Sequence, residues 1–218
     1  MKKEFWIEKW QNKQTGFHKE FTHPLLMEYI SYLKINIGDT LFVPLCGKTV
    51  DMVWLNSQGY KVLGNELSQL AVEQFFTENN LAYEKHNDGV FNVYIFENIT
   101  IYQGDFFDLT TEYTKNIAAV YDRAALIALP EGLIDKYVDH MSHLVPENTV
   151  ELLITLELQR ATSALGPPFS VSDSKVKDLF LGHASIEMLQ VEDIIQREAG
   201  FQKQGCEYVY ERVYLIKH

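Results

Sequence analysis

The stretch LFVPLCGKTVDM, residues 41–52, places Gly47, Lys48 and Thr49 directly after an apolar run. Gly-Lys-Thr after a strand ends one kind of phosphate-binding loop, in which backbone N–H groups and the lysine hold nucleotide phosphates. That loop needs a further glycine five positions before its second one, and Phe42 stands there. A dinucleotide-binding turn needs three spaced glycines, and this turn has one. The turn is therefore a weak candidate for either phosphate ligand.

Glu66 lies nineteen residues after Gly47, at the end of the next apolar run, KVLGNE. A carboxylate at a strand end can accept hydrogen bonds from the two vicinal hydroxyls of a ribose. A nucleoside cofactor without phosphates fits such a site, and S-adenosylmethionine is the common cofactor of that description. An acid at a strand end more often caps a helix or lies in a solvated turn, and its position alone favours those ordinary roles.

These residues need a scaffold that brings the ends of several strands together. Apolar runs alternate with helical patterns, and the last run follows HASIEMLQV and a short helix ended by Gly200. Such alternation predicts a parallel, doubly wound α/β sheet whose ligand lies past the carboxyl ends of the strands. The last strand arrives without a long helix, which predicts an antiparallel insertion near one edge. The predicted strands are TLFVPL, KVLGNE, NVYIFE, ITIYQGD, IAAVYD, TVELLITLEL and EYVYERVYLIKH.

Length and composition predict one domain over residues 1–218, with residues 1–36 as an N-terminal helical cover. A chain of 218 residues with 46% hydrophobic residues is long enough for one sizeable core and short for two domains. Two cysteines, Cys46 and Cys206, cannot form a disulfide framework, and the N-terminus MKKEFWIEKW has acids where a signal peptide would be apolar. We therefore expect a cytoplasmic protein.

The charge of the chain disfavours two classes of partner. The 30 acidic and 19 basic residues give a net charge of -11, which repels nucleic acid and acidic membrane surfaces. No apolar run approaches the roughly 20 residues that cross a bilayer. We expect a small-molecule substrate and a monomer or weak homo-oligomer, with neither nucleic acid nor membrane as partner.

Longer strings of the sequence carry a family resemblance. They are FWIEKWQNKQTGFH, VPLCGKTVDMVWLNSQGYKVLGNELSQLAVEQFF, GDFFDL, YDRAALIALP and GPPFSV. With these strings the chain resembles the bacterial form of the thiopurine S-methyltransferase family over nearly its full length. Its PLCGK replaces the glycine-rich loop of other methyltransferases of this fold. Asn65 departs from the family pattern, which has an apolar residue before the glutamate.

The resemblance implies a class I methyltransferase, Rossmann-like, with a doubly wound, mostly parallel seven-stranded sheet, an antiparallel strand near one edge and S-adenosylmethionine as donor. Ordinary roles remain open for the carried-over residues: helix packing for Trp10, core for Leu45 and Phe106, and a salt bridge to Asp122 for Arg123. The implied cofactor-binding residues are Trp10, Leu45, Glu66 and Arg123, with Gly47, Asp105 and Phe106 beside them.

The implied reaction is in-line methyl transfer to the thiolate of a small aromatic or heterocyclic thiol of the thiopurine type. Such thiols ionise near neutral pH, so no strong general base is required, and none stands out in the sequence. Phe17, Arg123 and, more weakly, Arg197 are the candidate substrate-binding residues. Phe17, His18 and the LGPPFSV loop are placed to close over the acceptor.

Three alternatives remain open at this point. Related enzymes methylate halide, bisulfide, selenium or tellurium acceptors. A nicotinamide-dependent oxidoreductase would also use an acid near Glu66, but the glycines are missing. A non-catalytic cofactor-binding module would bind the donor without transfer. No metal site is predicted: His140 and His143 share a helix face, but no third ligand accompanies them.

Overall fold

The computed structural model describes residues 3–159 and 166–218. Helices and strands alternate along most of this length, as the sequence predicts. The helices are α1 (Lys3–Gln11), α2 (Pro24–Tyr29), α3 (Asp51–Ser57), α4 (Gln69–Glu78), α5 (Thr111–Thr114), α6 (Glu131–Leu144), α7 (Asp173–Leu179) and α8 (Ala199–Lys203). The strands are β1 (Thr40–Val43), β2 (Lys61–Glu66), β3 (Glu84–Asp88), β4 (Phe91–Phe96), β5 (Ile99–Gln103), β6 (Ile117–Arg123), β7 (Val150–Leu158), β8 (Ser185–Asp193) and β9 (Val209–Lys217).

Nine strands in the described ranges form one sheet in the order β3-β4-β5-β2-β1-β6-β7-β9-β8. The strands from β5 to β7 run parallel, and β9 is antiparallel to both β7 and β8. The stretch from β5 to β8 has seven strands, is mostly parallel and has its antiparallel strand one place from the edge, as the resemblance implies. The seven strands read from the sequence are a slightly different set, because they include β4 (NVYIFE) and leave out β8. The hairpin β3–β4 extends the sheet at the opposite edge.

Helices pack on both faces of the sheet because the strands alternate their apolar side chains between two cores. In β1, Leu41 and Val43 point to one core and Phe42 to the other. The first core includes residues of α2, α3 and α4, such as Phe75, and the second includes residues of α6 and α7, such as Tyr137. This three-layer arrangement confirms the predicted doubly wound class.

Two details differ from the sequence predictions. The strand β3 was not predicted, because its residues, EKHND, are polar and all exposed and so show no apolar alternation. Gly200 does not end a helix: it lies inside α8, and a separate 3-10 turn at Ile195–Arg197 precedes it.

The helices of this fold are short. Within residues 3–159 and 166–218, no helix has both the length and the apolar character that a bilayer span requires.

Candidate active site

The loop after β1 is held in a conformation that suits few residues. Leu45 has a φ of 45° and Gly47 a φ of 54°, both in the left-handed region. For Leu45 that region costs about 1–2 kcal/mol. A Cβ at Gly47 would lie 3.1 Å from Cζ2 of Trp10, so this position needs a glycine for space as well as for φ. The loop therefore brings its backbone close to the indole ring of α1.

Glu66 ends β2 and is 6% exposed. Its Oε2 accepts a hydrogen bond from the backbone N–H of Gly47 at 2.8 Å, and its Oε1 accepts one from the N–H of Ser68 at 2.7 Å. Burial raises the pKa of Glu66, and the N–H groups of Ser68 and Gly47 offset part of that rise. The carboxylate is thus fixed against the first loop rather than free in solvent.

Arg123 ends β6 and belongs to a buried polar network. Its Nη2 donates to Oγ1 of Thr49 at 3.0 Å and to Oδ2 of Asp51 at 3.2 Å. The fully buried Asp51 also accepts from the hydroxyl of Tyr121 at 3.1 Å and from the backbone N–H of His23 at 2.8 Å. Asp51 thereby joins the loop after β1, the end of β6 and the N-terminal cover.

Arg123 does not pair with its neighbour Asp122, the alternative that the sequence left open. The Asp122 side chain points to the other face of the sheet, where it accepts from the N–H of Leu126 at 3.1 Å and from the hydroxyl of Tyr137 at 2.6 Å. Within the described chain, the buried Nε of Arg123 has no hydrogen-bond partner. One N–H donor of the guanidinium thus has no acceptor from these residues.

Asp105 and Phe106 follow β5 and differ in how they meet the site. Asp105 caps the 3-10 turn by accepting from the N–H of Phe107 at 3.0 Å, and it forms an ion pair with Lys3 of α1. Phe106 is 2% exposed, and its ring packs 4.8 Å from that of Tyr137, so most of it belongs to the core. The more exposed ring here is that of Phe107.

The N-terminal cover contributes an aromatic wall. The ring of Phe17 lies edge-on to Trp6 at 5.6 Å and to Trp10 at 5.5 Å between centroids. Trp10 is buried, so its helix packs firmly on the loop after β1. His18 follows in the same wall, and burial, then the nearby Lys48, lowers its pKa. These aromatic side chains cover the ends of the strands.

A cavity of about 700 Å³ runs along the carboxyl ends of the parallel strands, from β5 and β2 to β7 and β9. The residues Leu45, Gly47, Thr49, Asp51 and Arg123 line its middle. Its β2–β5 end is lined by Trp10, Glu66, Leu67, Asp105, Phe106 and Phe107, and its β7–β9 end by Ile154, Leu156, Ile194, Glu198, Phe201 and Glu211.

The whole chain, residues 1–218, matches the model of the family described as thiopurine S-methyltransferase. The chain belongs to this family. Relatives named thiopurine S-methyltransferase include one from Pseudomonas aeruginosa (strain UCBPP-PA14), 41% identical over 217 residues, which cover 100% of this chain and 99% of the relative. Another, from Shewanella frigidimarina (strain NCIMB 400), is 41% identical over 216 residues, covering 99% and 98%. The resemblance drawn from the sequence strings is confirmed.

Solved methyltransferase structures share the fold at low identity. A Burkholderia thailandensis 1,6-didemethyltoxoflavin-N1-methyltransferase with bound S-adenosylhomocysteine superposes with a TM-score of 0.67 at 10% identity, covering 99% of this chain and 86% of that one. A TehB-like methyltransferase from Corynebacterium glutamicum gives 0.57 at 11% identity, covering 99% and 98%. These similarities confirm the class I methyltransferase fold.

The cavity of this family member gathers most of the predicted residues but not all of them. Trp10, Leu45, Gly47, Glu66, Asp105, Phe106, Phe17 and Arg123 line it. Arg197 does not: its side chain is 53% exposed and pairs with Glu192 at 2.8 Å and Glu211 at 3.1 Å. The structure thus places Arg197 outside the cavity lining, in contact with Glu211, which does line it.

The cysteines and the two helix histidines considered from the sequence are engaged in ordinary structural contacts. Cys46 and Cys206 are free and buried, and burial, followed by the charge of Glu66, raises the pKa of Cys46 well above its usual value. The ring of His140 packs on Phe106 at 5.2 Å. His143 contacts the carbonyl of Asp139, in its own helix, at 2.6 Å. No cluster suited to a metal ion occurs among residues 3–159 and 166–218.

Of the LGPPFSV loop, the part from Gly166 to Pro168 lines the cavity, and Leu165 lies outside the described residues.

Sequence reasoning missed several polar residues of the cavity, among them Asp51, His23 and Glu211. Asp51 stands in the first turn of a helix, where an acid is common and does not indicate a binding role. Glu211 did leave a signal, because strand alternation puts it on the same face as Val209 and Val213, and both valines are fully buried. An acid on an apolar face needs a partner or a ligand.

Proposed function

We propose that this member of the family transfers the methyl group of S-adenosylmethionine to the sulfur of small aromatic or heteroaromatic thiols. Family membership makes the chain an S-methyltransferase that uses this donor. The observation that carries the proposal is the arrangement of the cavity, which has a buried carboxylate, Glu66, at one end and apolar walls at the other.

The β2–β5 end fits the ribose of the donor. Each carboxylate oxygen of Glu66 accepts one backbone N–H and keeps a further lone pair, so the two oxygens can accept two vicinal hydroxyls. The cavity volume of about 700 Å³ lies within the usual range for small-molecule sites. When bound, S-adenosylmethionine supplies an electrophilic methyl carbon on a positively charged sulfur.

The remaining donor contacts are assigned to four residues. Trp10 presents its ring to the cation and gains cation–π attraction, and Leu45 packs beside it. Arg123 pairs with the carboxylate of the donor or steadies an anionic acceptor, using the guanidinium edge that the protein leaves free. Asp105 accepts from the exocyclic amine of the adenine with lone pairs that its contacts with Phe107 and Lys3 leave over.

The protein aligns the acceptor and excludes water, and it need not supply a strong base. An aromatic thiol loses its proton to solvent near neutral pH, so the sulfur enters as a thiolate. The apolar walls of the β7–β9 end hold the ring, and Phe17 closes the cavity above it. Alignment of sulfur, methyl carbon and leaving sulfur in a dry cavity is the main source of rate enhancement for such a displacement.

Isothermal titration tests the donor, and a methyl-transfer assay tests the acceptor. S-adenosylmethionine and S-adenosylhomocysteine are expected to bind in the micromolar range, and NADH is expected not to bind. Product is then measured with aromatic thiols, selenols and halide ions. Transfer to an aromatic thiol supports the proposal, whereas transfer only to halide or selenium acceptors, or binding of NADH alone, contradicts it.

A further inference from the structure

Glu211 is an unusual residue for the apolar end of the cavity. It lies on β9, its side chain is 11% exposed, and it lines the cavity beside Leu156, its cross-strand neighbour on β7. Its strand neighbours on the same face, Val209 and Val213, are fully buried. The fold therefore places a carboxylate where the alternation of the strand would otherwise place an apolar side chain.

The carboxylate of Glu211 is ionised and only partly occupied. Its Oε1 lies 3.5 Å from Nε2 of His23, and its Oε2 accepts from Nη2 of Arg197 at 3.1 Å. Burial would raise the pKa of Glu211, but His23 and Arg197 hold it below its usual value. A carboxylate accepts about four hydrogen bonds, so lone pairs remain for a ligand.

The other charged groups at this end satisfy each other. Lys19 and Glu198 both line the cavity and form an ion pair at 3.2 Å. The surrounding walls, which include Ile194 and Phe201, are apolar. Glu211 is the more buried of the two carboxylates at this end, with 11% of its side chain exposed against 29% for Glu198, so a flat ring held between these walls would meet Glu211 away from solvent.

We propose that Glu211 is a specificity-determining residue that accepts a hydrogen bond from an N–H group on the ring of the acceptor. The enzyme then favours heteroaromatic thiols that carry an N–H edge over carbocyclic thiols of the same size. This inference rests on the proposed function, because it assigns the β7–β9 end to the acceptor.

The test compares two acceptors in three proteins. Mercaptobenzimidazole carries ring N–H groups, and naphthalenethiol is a bicyclic thiol of about the same size without them. The ratio of kcat/KM for the first to kcat/KM for the second is measured in the unmodified enzyme, in Glu211→Gln and in Glu192→Gln. Glu192 is the matched control, because it also pairs with Arg197 but lies outside the cavity lining.

A hydrogen bond to a charged acceptor contributes more than one to a neutral acceptor, so the ratio should fall about tenfold or more in Glu211→Gln. It should stay within about twofold in Glu192→Gln, because a rim charge outside the cavity contributes little. If the ratio is unchanged in Glu211→Gln, the inference is overturned. This includes the case in which kcat/KM falls equally with both thiols, because an equal fall shows a structural role. Turnover of naphthalenethiol by the unmodified enzyme upholds the proposed function even then, whereas no turnover of either thiol overturns both.

Discussion

Replacement of Glu66 by glutamine tests the donor site most directly. Both oxygens of Glu66 accept backbone N–H groups, from Gly47 and Ser68, so the amide nitrogen of a glutamine must face one of these donors. The variant loses the charge and one acceptor oxygen. A hydrogen bond to a charged group contributes about 1.5–3 kcal/mol, and two ribose bonds therefore contribute at least about 3 kcal/mol. We expect the Kd for S-adenosylmethionine to rise roughly 100-fold.

The pH dependence of donor binding gives a second readout. Burial raises the pKa of Glu66, so the free protein takes up a proton at a higher pH than an exposed glutamate would. The ribose site needs the ionised form. Donor affinity is therefore full above the raised pKa and weakens as the pH falls through it, by about tenfold per unit. In Glu66→Gln this dependence on Glu66 disappears.

Isothermal titration with S-adenosylhomocysteine, repeated over a pH series, measures both effects. Glu73→Gln is the matched control, because Glu73 lies on α4 outside the cavity lining and loses only contacts with Gln69 and Tyr94. Thermal unfolding checks that each variant is folded. If the Kd of a folded Glu66→Gln protein for S-adenosylhomocysteine is within about twofold of that of the unmodified protein, Glu66 does not hold the ribose.

Three further changes test the rest of the site. Arg123→Lys should lower kcat/KM for methyl transfer more than Arg197→Lys, because Arg123 lines the cavity and Arg197 is half exposed. A larger loss in Arg197→Lys would contradict the assignment of Arg123 as the cationic residue of the site. Gly47→Ala puts a Cβ into the left-handed region and 3.1 Å from Trp10, so denaturant titration should show a loss of about 1–2 kcal/mol. Burial, followed by the charge of a neighbouring glutamate, raises the pKa of Asp122 to about 7, so its burial becomes more costly as pH rises from about 4 to 7. The unfolding free energy of Asp122→Asn should gain up to about 4 kcal/mol relative to the unmodified protein over that range, and a pH-independent difference would contradict the raised pKa.

Most of the sheet was predictable because its strands are apolar runs separated by helices. The parallel strands follow from that alternation, and the antiparallel β9 follows from the lack of a long helix before it. The order of the strands in the sheet was not predicted. The strand β3 was not predictable from pattern, because it pairs through its backbone at an edge and buries no side chain. The position of such an edge strand is set by its backbone pairing with β4, the other strand of the hairpin.

The site was predictable only where position at a strand end coincided with the family strings. Glu66 and Arg123 satisfied both conditions and line the cavity. Arg197 satisfied neither, is half exposed and lies outside the cavity lining. The left-handed φ of Leu45 carried no sequence signal, because leucine does not favour that region, and the hydrogen bonds of Asp51 depend on residues distant in the sequence.

The N-terminal cover is part of the site because polar contacts tie it to each region of the cavity. Lys3 pairs with Asp105 at the β2–β5 end, and the N–H of His23 donates to Asp51 in the middle. At the β7–β9 end, Lys19 pairs with Glu198. Exposed ion pairs contribute little to stability, whereas the contact with the fully buried Asp51 cannot be replaced by water. Among these polar contacts, the one at His23 therefore contributes most, and it adds to the burial of Trp10 and Leu26 of the cover.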